Sequence, residues 1–184
     1  MTINILLQGF INSIPGLFKL FISTWYVWEF LLLIVVVRIG YGIYQHYLLS
    51  KAGMLEIDKM TGEQFEERLQ ILFTNLGYKA ERTSSGKVKP DYGVDLVVEK
   101  DGIRTAIQAK CWKEKVPEKA VQAVFAGKNM YNCTEAIAIT NSNFTKMAWR
   151  LARVDNVKLW SRNYLVKVLL TEKSLKSKKN NLTS

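Results

Sequence analysis

Histidine and cysteine are nearly absent from this 184-residue chain: His46 stands alone, and the two cysteines are Cys111 and Cys133. A disulfide-built scaffold and a Cys-rich zinc site are therefore excluded. So are a His-based metal cluster, a Ser-His-Asp triad and a Cys-His dyad. Negative charge is also scarce, with 16 Asp and Glu against 26 Lys and Arg, a formal net charge of +10. The chemistry left to the chain is that of carboxylates, amides and lysines. The charge points to a polyanionic partner, either nucleic acid or an anionic membrane surface.

What is present divides near residue 50. Residues 1–59 carry four cations against three acids, so the remaining +9 belongs to residues 60–184. Residues 1–19 form an apolar start, with Lys19 its one charge. The stretch Leu20–Val37 (LFISTWYVWEFLLLIVVV) has a single charge at Glu29. Trp25, Tyr26 and Trp28 lie at one end of it, and Tyr41, Tyr44 and Tyr47 lie beyond the other. As a helix, Trp25 to Tyr44 spans about 28 Å. That length fits a hydrocarbon core of about 30 Å between aromatic belts. Residues 20–49 are thus read as a transmembrane helix with its interfacial flank, and 50–59 as a linker. A buried core helix, an interfacial helix and a cleaved signal peptide are the rival readings. Basic residues after the span place the C-terminal part in the cytoplasm and the chain in the cell membrane as a single-pass protein. The tail, 171–184, reads as a basic disordered extension.

Residues 60–170 alternate strands and helices, which implies an α/β fold with a mixed sheet flanked by helices. Thr61-Gly62-Glu63-Gln64 is a capping-box pattern, and Phe65, Leu69, Leu72, Phe73 and Leu76 follow at helical spacing up to Gly77. Tyr78–Thr83 is a short strand. Gly93–Glu99 and Ile103–Cys111 are two strands joined by Asp101-Gly102, a strong hairpin signal. With that turn, facing residue numbers sum to 203. Val94, Leu96 and Val98 then share an apolar face with Ile103, Ile107 and Ala109. Asp95 falls opposite Gln108 on the other face, with Lys110 two residues on. Helices are expected at Glu118–Met130, Asn143–Arg153 and Tyr164–Leu170, and strands at Ala136–Thr140 and Val157–Trp160.

An acid, an amide and a lysine at one end of a hairpin suit phosphodiester hydrolysis. The carboxylate holds a hard cation such as Mg²⁺. The metal polarises the phosphate and acidifies a bound water. The lysine orients that water and offsets developing charge. Glu66 on the first helix is the best-placed further acid, directly or through water. Its rival Glu67 lies about 100° around the helix. The bland alternative is a strand-capping Asp95 in a salt bridge with Lys110.

Four segments carry a resemblance. They are Thr61-Gly62-Glu63-Gln64-Phe65-Glu66, Asp91-Tyr92-Gly93-Val94-Asp95-Leu96, Gln108-Ala109-Lys110, and Ala136–Thr145 continued by Ala148. In this order they resemble the catalytic domain of the Mrr-like restriction endonucleases, within the PD-(D/E)xK nucleases, in the branch where QxK replaces (D/E)xK. The resemblance covers roughly residues 58–170. It implies a restriction-endonuclease-like fold and a metal-dependent deoxyribonuclease that leaves a 5′-phosphate. Mg²⁺ is the implied cofactor, with Mn²⁺ as a substitute. Asp95 becomes the metal-binding acid, Gln108 and Lys110 the QxK pair, and Glu66 the helix acid, so that Asp95, Gln108 and Glu66 face the metal. Gln122 matches a helix glutamine often placed near DNA or the site in this family. Asp91 lies four residues before Asp95, about 13 Å along a strand, and precedes the hairpin pairing. Asp95 is therefore preferred as the ligand. The link Ser84–Lys89 is longer than is usual in the family and adds Lys87 and Lys89.

Lys87, Lys89, Lys113 and Lys115 are candidate DNA contacts, and Trp112 and Lys119 extend that rim. No element looks like a base-reading helix, so target recognition falls to another partner. Double-strand cleavage by so small a domain calls for a homodimer. The reading is a membrane-anchored Mg²⁺-dependent DNA endonuclease acting in defence against foreign or modified DNA. The alternatives are a membrane-tethered DNA-binding module without cleavage, a nuclease of branched or damaged DNA, and a structural protein whose basic domain touches lipid.

Overall fold

The computed structural model describes residues 25–83 and 92–182. The segments 1–24 and 84–91 lie outside the described residues, and with them Lys87, Lys89, Asp91 and the readings placed on residues 1–19. Two compact units divide at Tyr47 and Leu48.

The described residues of the first unit belong to helix α1 (Trp25–Ala52). Within it Val27–Ser50 is long and apolar enough to cross a membrane. Its side chains are exposed on every side, among them Phe30, Leu32, Val37 and Ile43. Such a surface is costly in water and favourable in hydrocarbon.

The second unit starts at Leu48, earlier than expected. Ala52, Met54 and Ile57 are buried in its core, the last two on the short helix α2 (Met54–Ile57). Residues 50–59 are therefore core material and not a linker. Ala52, Met54 and Ile57 pack in one cluster with sheet residues while Leu55 stays exposed, and Gly53 takes the left-handed turn (φ 78°) that joins the two helices.

Five strands follow in the order β1 (Lys79–Arg82), β2 (Leu96–Lys100), β3 (Ile103–Lys110), β4 (Glu135–Thr140) and β5 (Lys158–Trp160). The β1–β2 and β2–β3 pairs are antiparallel, whereas β3–β4 and β4–β5 are parallel. The sheet is mixed, as expected. Lys100 faces Ile103 and Glu99 faces Arg104, so the predicted hairpin register holds. Arg104 and Glu99 pair at 2.9 Å across it.

Both faces of the sheet are covered. On one lie α3 (Gly62–Asn75) and α6 (Arg162–Leu182), packed on Leu96, Val98, Ile107, Ala109, Ile137 and Ile139. On the other lie α4 (Lys119–Gly127) and α5 (Lys146–Val154), packed on Val97, Ala106, Ala136, Ala138 and Leu159. In β4 the period-2 sequence Ala-Ile-Ala-Ile sends its isoleucines to one helix layer and its alanines to the other. The small side chains let α4 come close. The capping box of α3 forms as its sequence implies: Thr61 N–H donates to Gln64 Oε1 (2.9 Å), and Gln64 N–H donates to Thr61 Oγ1 (3.3 Å).

Three expectations change. Val94 joins the α4 face and not that of Leu96, because the turn before it breaks the strand alternation. Ile103 stays half-exposed at the hairpin tip. The final helix runs on to Leu182, so the tail is not a disordered extension from residue 171. Glu172 anchors this continuation. Its buried carboxylate accepts hydrogen bonds from Arg68 (2.6 Å) and Asn75 on α3 and pairs with Lys176 at 3.1 Å, one turn on.

Candidate active site

Two consecutive left-handed residues, Tyr92 (φ 45°) and Gly93 (φ 74°), lead the chain into β2. This turn sits directly against α4. A Cβ on Gly93 would stand 2.6 Å from that of Ala123, and one on Gly127 would overlap the carbonyl oxygen of Tyr92. Both glycines are required by this approach. Beyond the turn the backbone of Asp95 is held from two sides. Its N–H donates to Ile107 O (2.8 Å), and its carbonyl accepts from Thr83 N–H (3.0 Å).

The Asp95 side chain is buried at the end of the hairpin. Its Oδ2 accepts the backbone N–H of Ala109 at 2.6 Å and a hydrogen bond from Gln108 Nε2. Gln108 is buried too, at 3% exposure. The structure thus brings Asp95 and Gln108 into direct contact. Lys110, two residues on in β3, shares with Gln108 a cleft of about 150 Å³ whose other walls include Lys119, Ala120 and Ala123 of α4. The cleft opens where the parallel strands β3 and β4 end, the usual ligand edge of such sheets.

Glu66 is half-buried on α3. It lies on the side of that helix shared by Glu63, which pairs with Arg82 at 3.5 Å, and Gln70, whose Nε2 donates to Ala80 O. That side faces β1, whose Arg82 pairs with Leu96 beside Asp95. Glu67 lines a different groove, with Gln64 and Ile71. Glu66 thus stands on the β1 side of α3, in the helix layer opposite α4 and on a separate element from the hairpin. Among the described residues no group of three His, Cys, Asp or Glu gathers as a metal cage. The donors offered are hard oxygens: one carboxylate, one amide and, further off, a helix acid.

Gln122 is exposed on α4, one residue from Ala123 of the cleft wall. Lys115 is exposed on the crossover after β3. Lys113 lines a second crevice of about 400 Å³, with Trp112 common to both cavities. Its floor holds residues that carried no role in the sequence reading. Arg162 makes a two-pronged pair with Asp58, 2.7 Å at each prong, and its Nη1 donates to Asn141 O (2.8 Å). Asn141, buried at the end of β4, accepts Trp112 N–H (2.8 Å) and donates to Asp58 (3.1 Å). The hydrogen bond from Arg162 holds the Asp58 carboxyl below its ordinary range, against a smaller opposing effect of burial. The one signal in the sequence was an asparagine directly after a buried strand, where an amide must find partners.

Cys111 fills a gap, its thiol donating to Ile57 O and Met60 O. Burial, and then Asp58, push that thiol up, and burial raises Cys133. Both shifts disfavour the thiolate, the nucleophilic form.

Comparison with known proteins bears on the fold and the family. No curated protein matches the chain. Among solved structures, the DNA modification-dependent restriction endonuclease AspBHI aligns with a TM-score of 0.50 at 16% identity, over 72% of this chain and 39% of that one. A protein of unknown function, AF1548, aligns at 0.49 with 21% identity, over 59% and 65%. The MspJI restriction endonuclease, solved with a 27-mer oligonucleotide, aligns at 0.42 with 19% identity, over 56% and 26%. The chain therefore spans less than two thirds of each of these proteins. The AspBHI likeness speaks to the fold, a mixed sheet between helix layers. The Mrr_cat profile, described as restriction endonuclease, matches residues 57–169, which contain the hairpin, the cleft and the crevice. By that match over more than half its length, the chain belongs to the Mrr_cat restriction endonuclease family.

Proposed function

We propose that this chain is a membrane-anchored, divalent-metal-dependent DNA endonuclease that hydrolyses phosphodiester bonds, with Mg²⁺ as its metal and Mn²⁺ as a substitute. One observation supports the reading: Gln108 donates a hydrogen bond to Asp95 and lines a cleft with Lys110, at the end of the β2–β3 hairpin inside the family-matched segment. The donor set suits Mg²⁺, which binds through one or two carboxylates and keeps its remaining positions for water and substrate phosphate. Asp95 would hold the ion. Gln108 directs Nε2 at Asp95, which leaves Oε1 as the atom to face a cation. Glu66 would join directly or through a water. When bound, the metal supplies polarisation of the phosphate and a more acidic water.

The chain's own groups do the rest. The Ala109 N–H fixes Asp95 Oδ2, so the carboxylate needs little reorganisation to receive the ion. Lys110 brings a cation to the cleft where charge builds on the phosphate oxygens, and it orients the attacking water. Lys113, Lys115, Lys119 and Gln122 would meet the DNA backbone, a sequence-independent contact. Lys87 and Lys89 are further candidates for that contact.

The helix Val27–Ser50 would hold the chain in the bilayer with the basic domain in the cytoplasm. Two copies would act on the two strands of a duplex, and a separate partner would select the target. Defence against foreign or modified DNA is the role that fits best. The AspBHI likeness supports it, since that protein is a modification-dependent restriction endonuclease.

The test is cleavage of plasmid by the full chain in detergent, with Mg²⁺ or with EDTA, beside Asp95→Ala. Cleavage that needs the metal and Asp95, with DNA binding kept in the variant, supports the reading. Equal DNA binding by both with no cleavage favours the tethered binding module.

A further inference from the structure

We propose that the crevice beside the active site is a subsite for an unpaired nucleobase stacked on Trp112. The DNA taken by this chain then carries a displaced or single-stranded segment next to the point of cleavage. This deepens, and rests on, the nuclease reading above.

Trp112 is placed for such a role. It follows Lys110 by two residues and belongs to both cavities, so a strand leaving the catalytic cleft passes over its ring. The residue is 47% exposed, so its ring is open to a ligand. Its backbone is pinned nonetheless, because Trp112 N–H donates to the buried Asn141 at 2.8 Å. The ring is a platform fixed at its base.

The crevice is a built site. Its volume of about 400 Å³ lies within the range of small-ligand pockets, about 300–1,000 Å³. Arg162 ties Asp58 and Asn141 together beneath it, and Arg162 N–H donates to Ser142 O at 2.7 Å. Asp58 and Arg162 neutralise one another, so the floor does not select an anion. Lys113 adds a cation to the lining. A flat, neutral group with hydrogen-bonding edges fits the interior, and a phosphate fits beside Lys113. That pairing describes one nucleotide. A base inside an intact duplex is stacked on both faces and cannot reach the ring. An unpaired base can, and aromatic stacking is how proteins hold single strands without reading sequence.

The experiment measures binding by the full chain in detergent micelles, with EDTA present so that no cleavage interferes. The probes are a fluorescent blunt duplex, the same duplex with a single-stranded flap, and the same flap built from abasic sugar-phosphate. The wild type should bind the base-bearing flap on the order of tenfold or more tighter than the abasic one. Trp112→Ala should lose most of that advantage and weaken blunt-duplex binding by a clearly smaller factor. Trp112→Phe should retain most of it. Equal wild-type affinity for the two flaps overturns the proposal, whatever the variants do. So does a Trp112→Ala loss that is the same for duplex and flap. If the wild type cleaves no DNA with Mg²⁺ but keeps the flap preference, the nuclease reading fails and the base subsite stands.

Discussion

The carboxylate of Asp95 accepts the backbone N–H of Ala109 at 2.6 Å, across the hairpin that separates them by fourteen residues. The acid is thereby locked to the strand that carries Gln108 and Lys110. A shift of one residue in the register would send Asp95 to a different N–H and turn Gln108 and Lys110 to the opposite helix layer. The site is a property of the pairing and not of any one side chain.

Gln108→Glu tests the donor set. It places a second carboxylate against Asp95 in a buried position, where like charges repel. With EDTA the variant should lose about 1–3 kcal/mol of stability. With Mg²⁺ the thermal midpoint should recover further than that of the wild type. An equal response to the metal in both proteins would argue against a cation at this position.

The turn that delivers Asp95 should be intolerant of side chains. Gly127→Ala drives a methyl into Tyr92 O, and Gly93→Ala adds a Cβ at positive φ against Ala123. Each should cost about 1–3 kcal/mol, by overpacking or backbone strain. Gly62→Ala, where a Cβ meets open space, is the control and should be near neutral. Thermal denaturation of the three variants checks the order.

Glu172 gives the fold an acid-sensitive clasp. Burial alone pushes its carboxyl up, but hydrogen bonds from Arg68 and Asn75 prevail and hold it below the ordinary range. A carboxyl lowered by folding stabilises the native state above its unfolded value, about 4.3 for glutamate, and loses that contribution as pH falls below it. Glu172→Gln should be less stable than the wild type by about 1.5–3 kcal/mol at neutral pH, and the gap should narrow in acid. Thermal midpoints taken from about pH 7 to about pH 3 read this. A gap that is constant with pH would remove the charge from the explanation.

The hairpin was legible in the sequence because Asp101-Gly102 fixes the turn and period 2 then fixes each facing pair. The helix that starts at Thr61 was legible because its cap is local. What escaped depended on contacts far apart in the chain. Asp58 and Arg162 are 104 residues apart, and so are Arg68 and Glu172. Residues 50–59 looked like a linker because Met54 and Ile57 carry no clear period, yet each fills a site in the core. The tail looked disordered because its lysines dominate, and one buried glutamate ties its helix down. The candidate site residues stood out through motif order as well as through the hairpin register. The Trp112 crevice is assembled from four separate segments, and only its Asn141–Asn143 part lies in a segment that carries the resemblance.

The most direct measurement is single-turnover cleavage of supercoiled plasmid by the full chain, with Mg²⁺, beside Asp95→Ala and Lys110→Ala that retain the wild-type thermal transition. The account predicts nicking or linearisation by the wild type, abolished by EDTA. It predicts rates at least about a hundredfold lower in each variant, the scale of losing one transition-state electrostatic contact. Cleavage by either variant at the wild-type rate, or cleavage undiminished by EDTA, would contradict it.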